Sequence, residues 1–261
     1  MKQFVLNSTP DKNGQLRFEG GDYRYLARVR RLAPGECFPA LLPGAADSVS
    51  VRVLSVDNHV LIGEISDKKP IRNDPSVSKN NLPPIILFQS LPKGEKMDLI
   101  VRQAAEGGIE QIIPFMSEFS AVKNKNSWHK FTRWERIIKE ALQQSGSLTM
   151  TVIRQPLTID GLFAFWEELN TQNPGVIGLL FHHLPLVNAS LHGYLYKKPE
   201  IVALAIGPEG GFSDSEAQRF IAAGFKPVTI GETILRTETA ALYAQAAVRV
   251  LLLERDSWEM K

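Results

Sequence analysis

Near its C-terminal end the chain runs twice from an apolar, β-rich stretch through a glycine-bearing loop into a helix. In the first unit, Ile201 to Ile206 leads into Gly207-Pro208-Glu209-Gly210-Gly211-Phe212. In the second, Val228-Thr229-Ile230 leads into Gly231-Glu232-Thr233-Ile234-Leu235-Arg236-Thr237-Glu238-Thr239-Ala240. Ser213 and Glu216 have the S-x-x-E spacing of a capping box, which predicts a helix starting at Ser213. Thr237 is placed to cap a long apolar helix from about Glu238 to Glu254. Strand, glycine loop and helix in succession is how α/β proteins aim backbone N–H groups and helix N-termini at a ligand. Neither loop is a familiar nucleotide loop, because G-K-[ST] and G-x-G-x-x-G are both missing.

The patterning upstream splits the chain. Residues 1–70 read as β-rich: short apolar stretches at Cys37–Leu42, Val49–Val56 and His59–Ile65 alternate with turn signals such as Ala33-Pro34-Gly35-Glu36, Pro43-Gly44 and Asp57-Asn58, which suggests a small barrel. Residues 71–84 are polar, proline-rich and without periodicity, as in an interdomain linker. From Ile85 to residue 261, strands alternate with helices: strands at Ile85–Gln89, Ile109–Phe115 and Gly175–Phe181, helices over Gly94–Gly107 and Phe131–Gln144. Met97, Ile100, Val101 and Ala104 stand at the i, i+3, i+4, i+7 spacing of a half-buried helix. Such alternation predicts a parallel sheet with helices on its faces, an α/β fold. The last helix is apolar nearly all round, so it must be covered on every side, either by its own subunit or by a second one.

Composition removes several classes. The 261 residues, 44% hydrophobic and 22% charged, suffice for a full globular core. Cys37 is the only cysteine, so there is no internal disulfide and no cysteine metal site, which fits a reducing cytoplasm. His59, His129, His182, His183 and His192 show no ligand spacing, and no metal is assigned. The N-terminus is too short and polar for a signal peptide, and no apolar run is long enough to span a membrane. Net charge is only +2, but basic groups cluster locally. Arg24, Arg28, Arg30 and Arg31 are interleaved with Tyr23 and Tyr25; Lys123, Lys125, Lys130, Arg133, Arg136 and Lys139 run beside Trp128, His129 and Trp134. Basic groups with aromatics between them suit phosphate contact and base stacking, though solvated strand and helix faces have the same composition.

The IGPEGGFSDSE and LRTETA stretches, in this order and spacing, closely resemble the two cofactor motifs of the RsmE family, ribosomal RNA uridine-N3 methyltransferases of the SPOUT superfamily. Val29-Arg30-Arg31-Leu32 with Pro34-Gly35-Glu36, Lys93-Gly94-Glu95-Lys96-Met97-Asp98, Ala104-Ala105-Glu106 and Gln144-Ser145-Gly146 are similar to further family landmarks. The resemblance implies an N-terminal PUA-like β-barrel that holds RNA, an α/β domain with a trefoil knot, a homodimer, and S-adenosylmethionine as cofactor. It places Ile206, Gly207, Glu209, Gly210 and Gly211 on one wall of the cofactor pocket and Ile230, Gly231, Leu235, Arg236 and Thr237 on another, and adds Phe181 and His182, which sit where the family's first knot strand ends. The implied substrate is a uridine of 16S ribosomal RNA, on the small ribosomal subunit. Arg236 is the candidate for stabilising charge on the uracil ring, Glu209 and Glu238 are the candidates for accepting its proton, and Arg24, Tyr25, Arg28, Arg31 and Lys123 those for holding RNA.

Four places depart from the family pattern, the first being Arg24-Tyr25, near which histidine is usual. Phe119 and Ser147 stand where arginine is usual, and Gln143 where glutamate is usual. A SPOUT enzyme with another RNA target, a ribosome assembly factor without chemistry, and a phosphate-binding α/β protein are the alternative readings.

Overall fold

A computed structural model describes residues 3–6, 8–43, 48–67, 82–120, 130–182 and 190–255; Lys123, Lys125, Trp128, His129, His183 and residues 71–81 of the expected linker lie outside these. The chain divides into two units, Met1–Ser78 with Leu142–Met150, and Lys79–Ala141 with Thr151–Lys261.

In the first unit, β1 (Phe4–Val5), β2 (Gln15–Glu19), β3 (Cys37–Leu41), β4 (Ser48–Asp57) and β5 (Val60–Asp67) form one sheet in the order β1-β3-β4-β5-β2. The pairs are antiparallel except β1 with β3. Strand β2 buries Leu16 and Phe18 and exposes the residues between, the period-two pattern of a strand with one face on a core. Phe4 and Phe18 lie on opposite edge strands, yet their ring centroids are 5.8 Å apart. In a flat sheet four strand spacings would separate those edges by about 19 Å. The sheet therefore curls until its edges meet over Phe4, Phe18 and Phe38. Between β2 and β3 the chain forms α1 (Gly20–Tyr23), which continues as a π-helical turn over Arg24–Val29. Tyr23 and Leu26 turn into the core, and Arg24 and Arg28 face solvent. Gln3 joins the later segment to this unit: its Nε2 donates to the carbonyls of Leu142, at 3.2 Å, and Ser147, at 2.7 Å.

The second unit holds a parallel sheet of β6 (Ile85–Ser90), β7 (Gln111–Met116), β8 (Val152–Ile153), β9 (Leu157–Thr158), β10 (Val176–Phe181), β11 (Ile201–Ile206) and β12 (Lys226–Val228). The order is β12-β10-β11-β6-β7-β8, with β9 also on β7. The helices are α2 (Lys96–Glu106), α3 (Phe131–Ser145), α4 (Ile159–Gln172), α5 (Leu191–Leu195), α6 (Asp214–Ala222) and α7 (Thr237–Glu254). Every residue of β6 is buried, as expected of a central parallel strand covered on both faces. Its neighbours show which helices cover it. Phe88 meets Phe165 and Trp166 of α4, whereas Gln89 donates to Thr237 of α7. Successive side chains on a strand point to opposite faces, so α4 and α7 cover opposite sides of the sheet. Phe88, Phe115, Trp166, Phe212, Phe220 and Phe225 dominate the core beneath α4 and α6.

Three expectations need correction. Helix α4 and strand β2 have no counterpart among the elements expected from the sequence. Strand β12 stops at Val228, leaving Thr229 and Ile230 in the loop. Helix α7 begins at Thr237, its N-cap position is Arg236, and no side chain caps it. Between the two covers left open for α7, the helix buries Ala241, Ala244, Val248 and Leu252, but Leu242, Tyr243, Val250 and Leu253 remain exposed, Tyr243 at 53%. Its own subunit does not cover it on every side. Among the described residues no helix is long and apolar enough to cross a membrane.

Phe88 is fully buried on the central strand, so Phe88→Ala leaves a cavity against three aromatic partners. The variant should lose about 3–5 kcal/mol of unfolding free energy, read as a lower urea midpoint in far-UV circular dichroism.

Candidate functional site

The carboxyl ends of β10, β11 and β12, three neighbouring parallel strands, lead into a cavity of about 320 Å³. Ligand sites of open α/β sheets lie at this end of the strands. Phe181 and His182 enter from β10; Ile206, Gly207, Glu209, Gly210 and Gly211 line it from the first loop; Ile230, Gly231, Leu235 and Thr237 line it from the second. Eleven of the twelve residues expected at a cofactor pocket thus share one cavity; the twelfth, Arg236, does not line it. The backbone at Arg236 is extended (φ −63°, ψ 151°), so with Leu235 and Thr237 turned to the cavity its side chain is turned outward and is exposed.

The first loop folds back closely on itself at Gly207. A Cβ on Gly207 would lie 3.0 Å from the carbonyl carbon of Gly211, tighter than most real Cβ contacts, so the backbone at Gly211 would have to give way. Gly231 in the second loop has φ +89°, a conformation that side chains oppose. The first loop then enters α6 through the capping box expected at Ser213: its hydroxyl accepts from the Glu216 N–H, and the Glu216 carboxylate accepts from the Ser213 N–H. Glu216 does more than cap. It is buried, and its other oxygen accepts the Glu118 N–H at 2.8 Å, tying residues 117–120 to the start of α6.

A hydrogen-bond chain joins the two loops. The Thr237 hydroxyl donates to the Gly207 carbonyl at 2.7 Å, and Gln89 Nε2 donates to that hydroxyl at 3.1 Å. The hydroxyl proton is committed to a carbonyl that can only accept, so the Gln89 amide must be the donor. The other Gln89 Nε2 hydrogen goes to the Ser90 carbonyl at 2.9 Å. Thr237, expected as a cap, spends its hydroxyl on this contact instead. Gln89 stands inside an apolar strand run, so no motif exposes its role in the sequence.

Lys96, the first residue of α2, makes a second connection. Its Nζ lies 2.7 Å from Glu209 Oε1 and 3.9 Å from Glu238 Oε2. Glu209 also accepts the Lys93 N–H at 3.0 Å. Partial burial pushes the Glu209 carboxyl up, but hydrogen bonds from Lys96 and from backbone N–H groups, with the Lys96 charge, outweigh it and hold the group below the usual carboxylate range. A carboxylate so engaged is a weak proton acceptor, contrary to the role the sequence suggested. Glu238 is in the first turn of α7, where a negative charge complements the helix dipole, and it does not line the cavity.

The RNA-holding candidates belong to the first unit. Arg24, Arg28 and Arg31 are exposed. Tyr25 is half-buried and stacks on Phe4, with centroids 6.2 Å apart, so its ring serves the core. Lys123 is outside the described residues.

A family model described as an RNA methyltransferase domain matches residues 78–249, the region that contains both loops. A Synechocystis sp. protein, ribosomal RNA small subunit methyltransferase E, is 33% identical over 233 residues, which cover 87% of this chain and 70% of its own. The Aquifex aeolicus protein of the same name is 32% identical over 91% of this chain and 95% of its own length. The crystal structure of ribosomal RNA small subunit methyltransferase E from Neisseria gonorrhoeae, bound to S-adenosyl methionine, superposes with a TM-score of 0.78 at 27% identity, covering 96% of this chain and 98% of that one. The chain therefore belongs to the RNA methyltransferase family, and within it to the ribosomal RNA small subunit methyltransferase E (RsmE) family.

The Lys96 contact predicts a titration. A depressed pKa means that the ion pair is complete above the ordinary carboxylate range and is lost only as pH falls through the lower folded value. NMR titration of side-chain carboxyl carbons should show Glu209 protonating below the other exposed glutamates, and Lys96→Met should raise its midpoint. A Glu209 signal that titrates with the others in the unsubstituted protein would contradict the ion pair.

Proposed function

We propose that this chain transfers a methyl group from S-adenosylmethionine to N3 of a uridine in 16S ribosomal RNA, on the small ribosomal subunit. The observation that carries this reading is the convergence of both glycine loops on one cavity, joined through Thr237, in a chain of the RsmE family. The residues present fit the cofactor. Phe181, Ile206, Phe212, Ile230, Leu235 and Ala240 offer apolar walls, the glycines leave backbone polar groups accessible, and the start of α7 favours a carboxylate. When bound, S-adenosylmethionine supplies an electrophilic methyl group on a sulfonium.

The protein must make a poor nucleophile reactive. N3 of uridine is an imide nitrogen, and loss of its proton spreads negative charge over O2 and O4. Arg236, exposed beside Leu235 at the start of α7, stabilises that charge as it develops. Glu209 and Glu238 hold Lys96 between them and set the positions of the two loops; the imide proton leaves to water. Holding N3 in line with the methyl group supplies much of the remaining acceleration. The target uridine enters unpaired or flipped out of its stack. Arg24, Arg28 and Arg31 hold RNA phosphates, and Lys123 adds to them. In this reading residues 1–70 form a PUA-like barrel, 71–84 a linker and 85–261 a SPOUT domain with a trefoil knot. The exposed apolar face of α7 at Leu242, Tyr243, Val250 and Leu253 meets a second copy in a homodimer, and the enzyme works in the cytoplasm.

The test uses labelled S-adenosylmethionine with small subunits, and separately with free 16S RNA, from a strain lacking this protein. Nucleoside analysis should show N3-methyluridine, with subunits the better substrate. Arg236→Ala should lower turnover by about 10² to 10³ with cofactor affinity unchanged. Absence of methyl transfer despite cofactor binding would overturn the proposal in favour of a non-catalytic RNA-binding role.

A further inference from the structure

Phe119 is 47% exposed, although the residues around it are firmly held. Before it, the Glu118 N–H donates to the buried Glu216 carboxylate at 2.8 Å. After it, Ser120 is buried, and its hydroxyl lies 2.9 Å from that of Ser90 and accepts the Ser117 N–H at 2.9 Å. Ser90 and Ser117 pair through their own hydroxyls at 2.6 Å. The turn is thus anchored on both sides of an aromatic ring that it leaves accessible. Isolated apolar side chains on a surface are ordinary. This one differs because the cavity wall makes room for it: a Cβ on Gly210 would lie 3.1 Å from Phe119 Cβ and 3.4 Å from its Cγ. Gly210 lines the cavity, so Phe119 stands against the outer side of the same loop.

We propose that Phe119 is a substrate-positioning residue, a stacking platform for a nucleobase of the RNA beside the methyl-transfer cavity. The inference rests on the reading that RNA is the substrate of this site. A flat ring on an anchored turn loses little entropy when a base stacks on it, and every base has a face to offer. Single-stranded or flipped-out RNA is bound largely in this way. The ring carries no hydrogen-bonding group, so it contributes position and affinity without selecting the base.

The experiment compares Phe119→Leu, Phe119→Ala and Phe119→Trp with the unsubstituted chain, using small ribosomal subunits from a strain lacking the protein. Filter retention measures RNA binding without turnover, calorimetry measures S-adenosylmethionine affinity, and labelled-methyl kinetics separate KM from kcat. Leu and Ala should raise the RNA dissociation constant and KM about tenfold or more, Trp should restore both to within about twofold, and cofactor affinity should stay constant. Unchanged RNA affinity in Phe119→Leu would overturn the inference while leaving the methyltransferase reading intact. A parallel loss of cofactor affinity would overturn it too, by placing the ring at the cofactor. Aromatic-dependent RNA binding with no methylated product from any variant, the unsubstituted chain included, would sustain the stacking role and sink the methyltransferase reading instead.

Discussion

One hydroxyl holds the candidate site together. Thr237 starts α7 and closes the second loop, and its bond to the Gly207 carbonyl fastens that loop to the first. Gln89, from the middle of the sheet, supplies the matching donor. The chain of contacts runs from the rigid central strand to the two irregular segments that form the cavity. Buried polar contacts of this kind are costly to leave half-made, since a donor or acceptor without its partner loses about 1–3 kcal/mol. The arrangement therefore favours both loops being in place together.

Charge reinforces the same join from the solvent side. Lys96 stands between Glu209 of the first loop and Glu238 of α7. A single cation shared by two carboxylates draws the loops toward the start of α2, and the Lys93 N–H adds a fixed donor. The two glutamates that the sequence offers as proton acceptors both stand at Lys96, while Arg236 stays outside the join and exposed. The α6 side is held by Glu216, which caps its own helix and anchors the turn bearing Phe119. One cluster of contacts sets the loops, and a second presents an aromatic ring at their edge.

Much of the fold was legible because periodicity and burial are local properties. The strands at Ile85 and Ile201, the helix over Phe131–Ser145 and the capping box at Ser213 all follow from spacing within a few residues. Phe181, His182 and ten residues of the two loops were candidates through the motifs, and eleven of these twelve line one cavity. What the sequence hid depends on distant partners. Thr237 has the residue type of a cap, but a carbonyl 30 residues away takes its proton. Glu209 looks like a base until Lys96, 113 residues away, is placed beside it. Gln89 is one polar residue in an apolar strand, and only the meeting with α7 gives it a task. Segment Leu142–Met150 joins the N-terminal unit through Gln3, a contact across more than 130 residues that no local pattern reports. Helix α7 shows the converse: its composition demands cover on every side, and the subunit itself provides only part of it.

The join through Thr237 is the claim on which the rest depends, and calorimetric titration of S-adenosylmethionine into Thr237→Val and Thr237→Ser tests it most directly. Valine keeps the shape of threonine but strips Gln89 and Gly207 of their partner, so affinity should fall about tenfold or more, whereas serine, which keeps the hydroxyl, should bind nearly as the unsubstituted chain does. Undiminished affinity in Thr237→Val, with its fold intact by circular dichroism, would show that the two loops form the site without this bond and would contradict the account.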